Sequence, residues 1–193
     1  MGKTRLEAFS DGVIAILITI MVLELHVPHG EGLDALLPLW PIGLSYVLSF
    51  VNVGIYWNNH HHMLHAVHRV TGPILWANLH LLFWLSLMPF ATGWMGENHF
   101  ATWPVALYGG VLLMSAAAYY LLQQTIIVSQ GPQSMLRQAV GRDWKGKASP
   151  LVYVLAIPLA FYLPAASMAL YVAVALAWLV PDRRIERVVV PRE

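Results

Sequence analysis

All eleven lysines and arginines of this chain fall into four short segments, and the stretches between those segments are apolar. Lys3 and Arg5 open the chain and Arg69 stands alone. Arg137, Arg142, Lys145 and Lys147 form a third group, and Arg183, Arg184, Arg187 and Arg192 the last. Long apolar blocks between charged segments are the signature of a polytopic membrane protein. They divide into six candidate spans, about 6–25, 37–65, 73–95, 103–128, 148–163 and 165–180. The last two come from one run, Ala148 to Val180, which as a single helix would measure about 50 Å against a hydrocarbon core of about 30 Å. Pro158 and Pro164 therefore mark a break, with a tight turn near Leu163-Pro164. Six spans bring every basic segment to one side, while the opposite loops hold Glu31, Asp34 and Glu97 and no Lys or Arg. The positive-inside rule then places both termini in the cytoplasm. Five or seven spans would scatter the charges over both sides. The expectation is an all-α, multi-pass protein of the inner (plasma) membrane, with residues 1–193 forming one transmembrane domain.

Composition narrows the function classes. Only 11% of residues are charged, less than half the roughly 25% of a soluble domain. A net charge of +1 and no basic run interleaved with aromatics leave no nucleic-acid partner in view. No cysteine is present, which excludes disulfides and thiolate metal sites. Lys3 and Arg5 before an apolar stretch imitate a signal peptide, but Asp11 and Glu24 interrupt that pattern and no small-residue cleavage site follows.

The first span, Arg5 to His26, is unlike a plain anchor, because it opens with Phe9-Ser10-Asp11-Gly12 and closes at Glu24. Ionisable groups near a bilayer core are expensive unless they face a cavity or a partner. On a helix, Ile16, Thr19, Ile20 and Leu23 share one face, with Asp11 and Gly12 one turn earlier on roughly the same stripe. On periodicity alone such a stripe is more often a core or lipid-facing seam. The acids at both ends and the lone hydroxyl of Thr19 turn the reading toward a pore lining, in which apolar rings gate by dewetting and an acid at the mouth, Glu24, concentrates cations. Arg5 and Asp11 are six residues apart, so each needs a partner outside the helix.

Other chemistries find less support. His60, His61, His62, His65 and His68 are clustered, and imidazoles at helical spacing can hold a metal, which would suit a metal or haem membrane protein. No carboxylate in that stretch completes a site, and a polar helix end is the plainer reading. His80 in the third span reads as a hydrogen-bonded packing residue. No nucleophile elbow, HExxH or phosphate-binding glycine loop occurs, so no enzyme is expected. A proton-coupled transporter would need an internal repeat, and none is evident. In the fourth span Gly109-Gly110 and Ala116–Ala118 offer small surfaces for close helix packing.

Arg5-x-x-x-Phe9-Ser10-Asp11-Gly12, followed by Thr19 and Val22-Leu23-Glu24-Leu25, resembles the opening helix of the transmembrane protein 175 family of endosomal and lysosomal potassium channels and their bacterial relatives. Tyr56-Trp57-Asn58-Asn59-His60-His61, Asn78 and Pro89-Phe90-x-Thr92 extend the resemblance over the chain, which looks like the single six-helix repeat of the bacterial branch. The resemblance implies a homotetrameric, potassium-permeable cation channel in the lipid bilayer, passing K+ and other monovalent cations without a cofactor, with the first helix of four subunits around the pore. It implies a hydrophobic constriction at Ile16, a selectivity ring at Thr19 beside Ile20, and a further apolar ring at Leu23. It also implies a polar cluster of Arg5, Phe9, Ser10, Asp11 and Gly12 with Trp57, Asn59, His60 and His61, holding the cytoplasmic ends of the first three spans together. The chain departs from the family at His62, where a basic residue commonly follows the two histidines.

Overall fold

Proline marks where several of the helices begin. Pro41, Pro73 and Pro89 each lie in a first helical turn, where the missing N–H removes no hydrogen bond and the fixed φ suits the helix. The computed structural model describes residues 2–131, 134, 136–137 and 144–179. It is built of α1 (Lys3–Leu23), a 3-10 segment (Leu33–Leu39), α2 (Trp40–His65), α3 (Gly72–Ser86), α4 (Met88–Glu97), α5 (Thr102–Gln130), α6 (Trp144–Leu159) and α7 (Pro164–Leu179). There is no strand among the described residues. Arg142, Val180 and the four arginines of the tail lie outside them.

Four stretches are long and apolar enough to cross a membrane: Lys3–Leu23, Leu33–His65, Gly72–Glu97 and Thr102–Gln130. α7 is apolar but shorter, at 16 residues, and α6, also of 16, contains Pro150 and Pro158. Two boundaries differ from the sequence expectation. The stretch 73–95 is two helices, not one, because Pro89 offers no N–H to the carbonyl four residues back. The last turn of α3 tightens instead, with Leu87 N–H bonding to Trp84 O at 3.2 Å, and α4 starts afresh. α6 begins four residues before the expected 148 and carries Pro158 within it. It ends in tight turns, Phe161 N–H to Pro158 O and Tyr162 N–H to Leu159 O, and the chain reverses just before Pro164.

Two apolar clusters fill the bundle. One, containing Ile14, Met21, Leu48, Met88, Met95, Tyr108 and Tyr171, joins α1, α2, α4, α5 and α7. The other, containing Leu6, Leu17, Met63, Leu64, Ile74, Leu81, Leu122 and Leu136, lies toward the end where α1 starts and α2 finishes. Lys3 Nζ donates to His65 O there at 2.7 Å, and Lys145 Nζ donates to Ala177 O at 3.1 Å, closing α6 onto α7. The described lysines and arginines thus gather at one end of the bundle, and Glu24, Glu31, Asp34 and Glu97 belong to the other. Helices approach closely over two glycines. A Cβ on Gly96 would lie 2.8 Å from the Ile42 Cα, and one on Gly109 would overlap the Tyr171 hydroxyl.

Candidate functional site

The sequence of α1 divides its surface into two unlike sides. Leu6, Ser10, Ile14, Leu17 and Met21 recur every three or four residues and are buried against the rest of the subunit. The other side carries Arg5, Phe9, Gly12, Ile16, Thr19, Ile20 and Leu23, all exposed in the subunit. Ile16 is 59% exposed and Leu23 74%, although both belong to a helix apolar enough to span a membrane. A Cβ on Gly12 would meet nothing within 4 Å. The hydroxyl of Thr19 donates to Ala15 O at 3.0 Å. Its proton is thereby committed to the backbone, and its lone pairs remain free to accept.

Ser10 anchors this helix from its buried side. Its hydroxyl donates to Leu6 O at 2.9 Å and accepts from Asn78 Nδ2 at 3.0 Å. Asn78 Oδ1 in turn receives His60 at 2.7 Å. The orientation of the amide fixes the proton on the Nε2 of His60, and the buried Nδ1 has no partner among the described residues. All three side chains are at most 1% exposed, so α1, α2 and α3 are joined by polar groups in the dry interior. Trp57 Nε1 donates to Asp11 Oδ1 at 3.0 Å and makes a second tie between α1 and α2. The expected polar cluster is therefore two separate links. Asn59 stays on its own helix, donating to Ile55 O at 2.8 Å. His61 is exposed and stacks among Trp57, His62 and His65 at centroid distances of 5.6 to 6.3 Å. His60, not His61, enters the interior. Arg5 makes no ion pair or hydrogen bond among the described residues.

Glu24 and Asp11 do not share the exposed stripe. Asp11 turns aside to Trp57, and Glu24 folds inward, its Oε2 only 2.9 Å from where a Cβ on Gly93 would stand. The hundred-degree step of the helix accounts for this, since Glu24 follows Leu23 directly. His80 accepts a hydrogen bond from Trp84 Nε1 at 3.0 Å. Among the described residues no group of three or more His, Asp or Glu side chains is arranged to hold a metal ion.

A further polar chain escaped the sequence reading. Thr92 Oγ1 lies 2.6 Å from Ser49 Oγ, Ser49 donates to the Tyr108 hydroxyl at 3.1 Å, and Asn52 Nδ2 reaches the same hydroxyl at 3.4 Å. It ties α2, α4 and α5 through the middle of the subunit. Its signal was the pair Ser49 and Asn52, polar residues at i and i+3 inside an apolar span, where only a buried partner makes them affordable.

Comparison with known proteins converges on one family. A family model described as endosomal/lysosomal potassium channel TMEM175 matches residues 5–89. A potassium channel of Chryseobacterium sp. (strain P1-3) is 56% identical over 187 residues, covering 97% of this chain and 97% of that protein. The endosomal/lysosomal proton channel TMEM175 of Gallus gallus is 35% identical over 103 residues, 47% of this chain but 21% of that protein. The crystal structure of a lysosomal potassium-selective channel TMEM175 homolog from Chamaesiphon minutus superposes with a TM-score of 0.81 at 29% identity, covering 92% of this chain and 96% of that one.

Proposed function

The chain belongs to the TMEM175 family, and from that membership we propose that it is a potassium-permeable cation channel, formed by four copies of this chain around an axis lined by α1. Each subunit crosses the inner membrane six times with both termini in the cytoplasm. No cofactor or catalytic step takes part, and K+ is the transported species.

The observation that carries this reading is the exposed stripe of α1. A helix anchored on its buried side by Ser10 and braced by the Asp11–Trp57 bond presents Ile16, Thr19, Ile20 and Leu23 outward at fixed depths. In a fourfold assembly these become stacked rings. Ile16 and Leu23 form apolar constrictions that gate by dewetting and force a cation to shed part of its water. Na+ holds its hydration shell more tightly than K+, so a narrow ring favours K+. Four Thr19 oxygens, their protons already directed at Ala15 O, return acceptors to the partly stripped ion. Glu24 is the acid nearest the outer constriction and contributes negative potential at that mouth.

The test is cation flux in liposomes holding the purified protein, with K+ and Na+ gradients compared and a pH-sensitive dye inside to register H+. Wild type passes K+ faster than Na+, and Ile16→Asn, which hydrates the constriction, raises the flux. Absence of flux in both proteins removes the channel reading, and equal flux in both removes Ile16 from the constriction.

A further inference from the structure

On the side of α2 away from Trp57 the subunit contains a cavity of ≈ 50 Å³, enclosed by α2, α5, α6 and α7 and touching no residue of α1. That is room for a few water-sized groups, in a space open on one side. Its walls are mixed. Ile55, Ala116 and the rings of Tyr56 and Tyr153 supply apolar surface, and Asn52 and Gln123 supply amides. Gln123 is 3% exposed, and its amide makes no hydrogen bond among the described residues. The Tyr153 hydroxyl likewise has no partner there, although its ring packs on Tyr171 at 6.1 Å.

The Gln123 amide faces this mostly apolar space with no partner among the described residues, so the cavity suits an occupant that both donates and accepts. Among the described residues no Asp, Glu, Lys, Arg or His lines it, so a charged occupant would find no counter-charge from them in a poorly polarisable interior. The volume excludes a bulky ring system, and the apolar walls favour an alkyl group over water. We propose that the cavity binds a small neutral amphiphile of a few heavy atoms, such as a short primary amide or alcohol. Its polar end engages Gln123, and its methyl end lies against Ala116 and Ile55. The occupant bridges α5 to the back of α2, the helix that holds α1 through Trp57 and α3 through His60.

The probe is propanamide, followed by saturation-transfer NMR on the full-length protein in lipid nanodiscs, which reads binding whether or not the protein conducts. Wild type gives a saturable signal. Gln123→Met, equal in length but without the amide, weakens binding about tenfold, the worth of one hydrogen bond. Ala116→Leu fills the space and abolishes the signal. Each variant is compared at the elution volume of wild type, so that misfolding is excluded. A wild-type signal that never saturates, or one unchanged in both variants, means that the probe only partitions into lipid or that water alone occupies the cavity, and either result overturns the proposal.

Discussion

Thr19 is the single hydroxyl on an otherwise apolar outward stripe, and its bond to Ala15 O sets the orientation of that hydroxyl. Thr19→Ala should reduce the preference for K+ over Na+ in reversal-potential or flux-ratio measurements while leaving assembly intact. Thr19→Ser, which restores the oxygen, should recover most of the preference. Unchanged selectivity in the alanine variant would take Thr19 out of the filter. On the buried side, Asn78 carries two bonds at once, accepting from His60 and donating to Ser10. Asn78→Leu leaves both partners unsatisfied in the interior, a loss of about 1–3 kcal/mol, read as a lower midpoint of thermal unfolding in detergent. An unchanged midpoint would mean that water replaces the amide. Part of this was legible in the sequence. Ser10 and His60 entered the polar cluster through the family resemblance, and Asp11 was expected to need an external partner. The choice between His60 and His61 was not legible, because adjacent residues differ by a hundred degrees of helix rotation and only the packing of α2 on α3 decides which one enters.

At the scale of the helices, the sequence placed the apolar blocks well and their interruptions less well. The break between α6 and α7 was readable because a run of about 33 residues is too long for one crossing. The break between α3 and α4 was not, because Pro89 lies within a stretch of ordinary span length, and hydropathy alone does not show where a carbonyl loses its partner. The small residues of α5 were expected to allow close approach. Gly109 does so by receiving the Tyr171 hydroxyl, whereas a side chain on Gly110 would meet nothing within 4 Å. Tyr171 also donates to Val105 O at 3.3 Å and packs on Tyr108 and Tyr153 at 5.9 and 6.1 Å. Gly109→Val therefore displaces a ring that has no other place to go, at a cost of about 1–3 kcal/mol. Gly110→Val should cost much less within the subunit, apart from helix propensity. Similar thermal midpoints for the two variants would contradict the close contact.

For the whole molecule, the described lysines and arginines lie at one end of the bundle, with Glu7 paired to Lys3 among them, and the 0.81 TM-score to the Chamaesiphon minutus channel homolog supports the same arrangement of helices. The sequence could not say whether the outward stripe of α1 faces lipid, a neighbouring subunit or a pore, since one subunit leaves all three surfaces bare. The absence of native cysteine makes that question directly testable, because any introduced thiol is the only one present. In a fourfold pore, Leu23→Cys brings four thiols together at the outer constriction, where soft thiolate ligands bind Cd2+. Micromolar Cd2+ added outside should then block K+ flux, and a chelator should restore it. Met21→Cys, fully buried on the inward side of the same helix, should conduct without block. Block of both variants would point to a general effect on the protein. Block of neither, in vesicles where wild type conducts, would turn the Leu23 side of α1 toward lipid and require the conduction path to be sought elsewhere.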